Sequence, residues 1–182
     1  MASTYTLISS QVLGSGALTV TFTSIPQTYT DLILRVSART SSTQNGAFVY
    51  FNNNSTSGLY STTGLFNSSA TAGGSTRESG RSDWFSSANY FSLPGSSNTA
   101  NTFSESDLYI ANYSSATLSK TSSSFNAQES NVAYTNGVTQ INAIAGLYRS
   151  SSAITRIDIT CQGSTGTFVT GSSFYLYGIS NA

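Results

Sequence analysis

Leu32-Ile33-Leu34-Arg35-Val36-Ser37-Ala38-Arg39 is the stretch that decides the fold. Leu32, Leu34, Val36 and Ala38 occupy alternate positions, with Ile33, Arg35, Ser37 and Arg39 between them. A period of two belongs to a β-strand, which buries one face and here turns two arginines to the other. The same period recurs along the chain. Leu18, Val20 and Phe22 alternate with threonines; Ile141, Ala143, Ala145 and Leu147 alternate with Asn142, Ile144, Gly146 and Tyr148; Ile157, Ile159 and Cys161 alternate with Arg156, Asp158 and Thr160. Phe48-Val49-Tyr50-Phe51 and Phe174-Tyr175-Leu176-Tyr177-Gly178-Ile179 are apolar on both sides.

Turn-forming dipeptides separate these runs. Asn45-Gly46 and Asn136-Gly137 accept positive φ at low cost, and Gly14-Ser15-Gly16, Gly73-Gly74 and Pro94-Gly95 are further breaks. No window carries a capped apolar face at helical period. The reading is an all-β chain without significant helix: an antiparallel β-sandwich of about eight to ten short strands, a jelly roll among the sandwiches. Residues 1–182 form one domain, with 1–13 read as an N-terminal arm. The Ser-, Thr-, Asn- and Gly-rich interval 52–82 reads as a long loop excursion, with Leu59, Tyr60, Leu65 and Phe66 as its apolar anchors.

Composition excludes several classes of function. The chain of 182 residues has no His, one Cys, one Trp and seven charges of each sign. Without imidazole there is no Ser-His-Asp or Cys-His arrangement and no His metal ligand. A single thiol makes neither an internal disulfide nor a zinc or redox pair, and Cys161 reads as a small buried hydrophobe. Scattered cations and zero net charge argue against nucleic acid as a partner. No apolar run reaches the length of a membrane-spanning helix. The start, Met1-Ala2-Ser3-Thr4-Tyr5-Thr6, lacks the basic and apolar regions of a secretion signal, so the expectation is a protein that is not secreted by that route. Ser and Thr number 37 and 25, which raises the question of disorder. The 10 Phe, 11 Tyr and zero net charge answer it in favour of a folded chain with a modest core. Enzyme, cofactor and metal are all expected to be absent.

The remaining candidates are surfaces. Arg77-Glu78-Ser79-Gly80-Arg81-Ser82-Asp83 concentrates charge immediately before Trp84-Phe85. Arg and Trp are enriched where proteins meet, so Arg77, Glu78, Arg81, Asp83 and Trp84 are interface candidates. The competing reading is a solvated loop beside a core tryptophan. Tyr5, Leu7 and Ile8 of the N-terminal arm form a second candidate contact. Glu105 and Asp107 share a strand face; a polar face outweighs a calcium site or a glycosidase pair there. The tyrosines also admit a carbohydrate-binding surface.

Several stretches carry a resemblance. Tyr5-Thr6-Leu7-Ile8-Ser9-Ser10-Gln11-Val12-Leu13, Leu18-Thr19-Val20-Thr21-Phe22, Ser24-Ile25-Pro26-Gln27-Thr28-Tyr29-Thr30-Asp31-Leu32, Ile144-Ala145-Gly146-Leu147-Tyr148-Arg149 and Gly171-Ser172-Ser173 through Ile179 are similar to small virion proteins of tailed phages, abundant in cyanophages and other aquatic phages. The middle, about residues 52–102, has no counterpart. The resemblance implies a jelly roll on the virion surface and assembly as a homotrimer. The implied role is capsid decoration, or cement: binding the major capsid protein on the outside of the head, with other virion structural proteins nearby. The implied location is the virion, assembled in the host cytoplasm. A tail-associated or host-recognition module that binds glycan is the alternative.

Overall fold

The computed structural model describes residues 4–44, 46–67, 73–84, 91–129, 140–162 and 166–180. Twelve strands run through them and no helix is present among the described residues. In chain order they are β1 (Tyr5–Val12), β2 (Thr19–Phe22), β3 (Asp31–Ser37), β4 (Gly46–Phe51), β5 (Tyr60–Asn67), β6 (Gly73–Arg81), β7 (Phe91–Ser92), β8 (Glu105–Ile110), β9 (Lys120–Gln128), β10 (Gln140–Tyr148), β11 (Ile157–Cys161) and β12 (Ser173–Ile179). They form a large sheet of order β1-β12-β3-β8-β9-β10-β5-β6 and a small one of order β2-β11-β4-β7. Every pairing is antiparallel. The chain is thus a β-sandwich with more strands than the eight to ten expected.

The core lies where alternation places it. Leu32, Leu34 and Val36 of β3, Leu108 and Ile110 of β8, and Phe174 and Leu176 of β12 are buried on one side. They belong to the same core as Val20, Phe22, Ala47, Val49, Phe51, Ile157, Ile159 and Cys161 of the small sheet. Cys161 is a buried free thiol within 3.2 Å of Thr40 Oγ1, and burial pushes its pKa up, as suits a packing residue. Arg39 falls just beyond β3 and does not lie on a solvated strand face. Its guanidinium donates to the carbonyls of Gly95, Asn98, Thr99 and Thr102, at 2.7–3.2 Å, and fastens the connection before β8.

Two parts of the sequence reading need correction. The interval 52–82 is a loop only over 52–59; 68–72 lie outside the described residues, and β5 and β6 within it are two of the longer strands, β5 pairing with β10 along its whole length and β6 with β5. A ladder satisfies backbone groups whatever the side chains are, so a Ser- and Thr-rich segment can be strand without an apolar alternation to announce it. Residues 5–12 of the supposed arm are likewise a strand, paired with β12 from Tyr5↔Ile179 to Val12↔Ser173. Residues 1–3, Asn45 and the Asn136-Gly137 turn lie outside the described residues.

In the wing formed by β9, β10 and β5, the inward side buries many polar groups beside Tyr60, Ile144 and Tyr148. Lys120, Ser122, Ser124, Asn126 and Gln128 of β9 are buried, as are Gln140 and Asn142 of β10. Ile141 and Phe125 face out. Large groups fix this parity. Tyr148 of β10 stacks on Tyr60 of β5 at 4.9 Å between ring centroids, and Phe51 meets Tyr148 edge-on at 5.4 Å. A Cβ on Gly146 would lie 2.0 Å from Trp84 Nε1, so only glycine fits beneath that indole. Shifting β10 by one residue would bury Ile141 and Ala143 but expel Tyr148 and jam the tryptophan.

Candidate functional site

The outer face of the large sheet, which the small sheet does not cover, gathers the exposed apolar and aromatic residues. Paired residues in an antiparallel ladder share a face, so its composition follows from the register. One row across the strands reads Leu7–Tyr177–Ile33–Tyr109–Ser123–Ala145–Thr63–Arg77. The next contains Tyr175–Arg35–Asp107–Phe125–Ala143–Leu65–Ser75. The face has an aromatic half on β1, β12, β3 and β8 and an aliphatic half on β9, β10 and β5.

In the aromatic half, Tyr5, Ile33, Arg35 and Tyr177 line an open recess of about 350 Å³. A second recess of about 480 Å³ runs between Arg35, Phe103, Glu105, Tyr175 and Tyr177. Arg35 divides them. Its Nη2 donates to Asp107 Oδ2 at 3.2 Å in an exposed pair that contributes at most about 1 kcal/mol. Asp107 is therefore engaged by a cation, and Glu105 stands two residues away on the same face without an ion-pair partner among the described residues. Among those residues no group of three His, Cys, Asp or Glu is placed to hold a metal ion.

Asp31 closes the aromatic half from below. Although it projects on the outer side of β3, it is buried. It accepts hydrogen bonds from Tyr109 Oη at 2.6 Å and from the Asn112 amide at 2.7 Å. The first of these bonds, with burial second, pushes the Tyr109 pKa up to about 12. Tyrosine in an unfolded chain titrates near 10. The folded state thus holds the phenolic proton more tightly, and this contribution is complete below about pH 10 and lost as the pH climbs toward 12. Urea melts of wild type should show that loss across the window, and Tyr109→Phe should remove part of it. Identical pH slopes for the two proteins would contradict the assignment.

The structure separates the candidate residues read from the sequence. Tyr5 and Leu7 are exposed on β1, at one edge of the sheet, with Leu7 opposite Tyr177. Ile8 sits in the register irregularity between Leu7 and Ser9 and packs against the core, so it is not part of the exposed face. The charged cluster lies at the opposite edge, seven strand spacings or about 33 Å away along the sheet. It is divided within itself. Arg77 pairs with Thr63 and projects outward, exposed. Glu78, Arg81 and Asp83 form a local chain on the other side, with Arg81 Nε 3.4 Å from Glu78 Oε2 and Arg81 Nη2 3.5 Å from Asp83 Oδ1. Burial raises the Asp83 pKa, against the lowering by Arg81.

Trp84 is withdrawn from the interface altogether. It is fully buried, donates from Nε1 to Ser122 Oγ at 2.5 Å, and meets Phe91 edge-on at 6.3 Å. Phe85 lies outside the described residues. A run of charges directly before an indole suits a rim and a core equally, so composition alone did not separate them.

A scan against protein-family models and a search of the curated proteins both return no match. Tyr175, Tyr177, Ile33, Leu65, Phe125 and Ile141, none of them an interface candidate from composition and charge, also build the face. For Tyr175 and Tyr177 the signal is β12 itself, apolar on both sides in a sheet that has only one covered face.

Proposed function

We propose that this chain is a virion structural protein of a tailed phage, a decoration protein that binds the outer head shell and stabilises it by oligomeric clamping. The observation that carries the proposal beyond the resemblance is the uncovered outer face of the eight-stranded sheet. Its aromatic half bears Tyr5 and Leu7, both more than half exposed, beside Tyr175 and Tyr177. Contiguous apolar surface on this scale marks a place where another macromolecule docks. Tyrosines supply large contact area with a polar tip at low entropic cost, which suits attachment to a shell.

Strand order supports the jelly-roll form of the proposal. Set aside the β5–β6 and β9–β10 pairs, and the other eight strands switch sheets at every step along the chain except from β4 to β7, which pair with each other. They leave four-stranded sheets of order β1-β12-β3-β8 and β2-β11-β4-β7. Two interlocked four-stranded sheets of this kind are the jelly roll of many capsid domains. The two added pairs then widen one sheet and create the aliphatic half of the face.

In this proposal the partners are the major capsid protein and further copies of the chain, as the homotrimer that the resemblance implies. Neither nucleic acid nor membrane is a partner, and the role is mechanical, not catalytic. Each subunit contributes modest contacts, and linkage through neighbours makes them act together against internal pressure. Near-neutral surfaces also make the contact less sensitive to salt than a charged one. The test is add-back. Purified shells lacking the protein should rupture at lower temperature, and recombinant protein should restore resistance, whereas Tyr177→Ser with Leu7→Ser should not. Shells equally stable with and without it would overturn the proposal.

A second reading, a tail-associated or host-recognition module for glycan, draws on one specific observation. The recess between Tyr5, Tyr177, Ile33 and Arg35 combines aromatic faces with a donor, as sugar sites do. Copy number separates the two: hundreds per particle on the head belong to decoration, and a few dozen at the tail to adhesion.

A further inference from the structure

We propose that the outer face of the β9–β10–β5 wing is a two-fold contact that joins two copies of this chain. The proposal concerns the aliphatic half of the face and does not depend on the virion reading.

The wing buries Tyr60, Ile144 and Tyr148 inward but presents a second apolar set outward. Leu65, Phe125 and Ile141 are 65%, 55% and 56% exposed, and Ala143 and Ala145 are exposed between them, while the opposite side of the same strands buries Thr62, Ser122, Ser124 and Asn126. Slippage does not explain this, because Gly146 under Trp84 and Tyr148 on Tyr60 hold the parity. Apolar residues are therefore presented outward on a sheet whose register is fixed from within.

The register makes that surface complementary to itself. β10 is the middle strand of the five from β6 to β8. A two-fold axis along β10, with the outer faces of two copies together, exchanges β5 with β9 and β6 with β8. Leu65 and Phe125 occupy the same row on either side of Ala143, so each leucine meets the other copy's phenylalanine. Ala143 and Ala145 meet their own counterparts on the axis, which lets the sheets approach closely. Thr63 and Ser123, again in one row, bring hydroxyls together.

Charge selects this axis over the other one that would bring the faces together. Arg77 stands on the β6 flank without an ion-pair partner among the described residues, and Glu105 and Asp107 stand on the β8 flank. Rotation about β10 carries Arg77 of each copy opposite Tyr109 of the other, one row from Asp107, with Glu105 a further row along β8. Rotation about an axis across the strands would set arginine on arginine and carboxylates on carboxylates, which is unfavourable. Five strands of this length span about 24 Å by 24 Å, or about 600 Å² from each copy. Both copies together reach about 1,200 Å², the lower end of the range for specific interfaces, so a moderate and concentration-dependent association follows.

Sedimentation velocity across a concentration series tests the proposal. Wild type should populate a dimer, or a hexamer if a three-fold contact forms elsewhere. Leu65→Thr with Phe125→Thr, which keeps strand-favouring residues at exposed positions, should halve the particle mass while leaving the near-ultraviolet dichroism of the fold unchanged. Arg77→Glu and Asp107→Arg should each weaken association by about tenfold. Mixing the two variants should restore it, because both contacts then pair opposite charges. Ala143→Cys, on the axis, should be joined to its own copy by a short bismaleimide, and Ser173→Cys on β12 should not. A chain that stays monomeric throughout, or a trimer whose mass ignores Leu65→Thr with Phe125→Thr, would overturn the proposal.

Discussion

Replacing Trp84 by alanine should cost about 3–5 kcal/mol of folding stability, the range for truncating a fully buried large aromatic. Trp84 lies against Phe91 and over Gly146, and its Nε1 donates to Ser122 Oγ. Truncation leaves a cavity and strips a buried hydroxyl of its donor. Gly146 cannot fill the space, and the β9–β10 ladder holds the backbone beneath it in place. For a chain of this length the melting temperature should fall by roughly 10 °C or more. Because Trp84 is the only tryptophan, its fluorescence checks the burial independently. Emission should be blue-shifted and resist quenching by acrylamide or iodide until the protein unfolds. A red-shifted, readily quenched native spectrum would contradict the structure.

Lys120→Met should cost about 3 kcal/mol or more, although it removes a buried charge. Lys120 is almost wholly buried at the start of β9, and burial pushes its pKa down. Its Nζ donates to the carbonyls of Ser115, Leu118 and Ser151 at 2.6–2.9 Å, with Ser150 at 3.4 Å. One ammonium thereby ties the β8–β9 connection to the chain after β10. Methionine keeps the length and apolar stem but leaves those carbonyls without that donor. Chemical denaturation should report the loss, and hydrogen exchange should show faster opening of the two connections than of β3 or β12. A variant as stable as wild type would mean that the carbonyls find other donors.

How far the fold is legible varies with the physical origin of each element. Where apolar side chains alternate toward the sandwich core, as in β3 and β11, the period alone locates the strand and the buried face. β5 and β6 have no such pattern because their role is to extend a ladder past the small sheet, where backbone pairing and small side chains suffice. β10 is the instructive case. Its alternation marks a strand, yet the side with Ile141, Ala143 and Ala145 is the exposed one. Contacts distant in sequence, Trp84 on Gly146 and Tyr60 on Tyr148, set the parity. The interface candidates divide along the same line. Tyr5, Leu7 and Arg77 are exposed, whereas Ile8 and Trp84 turn inward through a local irregularity and a long-range packing contact. No count of residue types carries that information.

The hydroxyl-rich composition also takes on structural meaning. Ser122, Ser124, Asn126 and Thr62 are buried in the wing, where a sandwich would ordinarily place aliphatic residues. Leucine and phenylalanine in the same strands face outward. Such an arrangement is uneconomical for an isolated monomer and reasonable for a subunit whose outer face meets another surface.

The most direct test of the proposed function is a density map of tailed-phage particles assembled with this chain. Density for the β-sandwich on the outside of the head, with Tyr5, Tyr175 and Tyr177 of the large sheet against the major capsid protein, is the expected result. Absence from the head, or a subunit attached only through the small sheet with the whole outer face open to solvent, would contradict the proposed function.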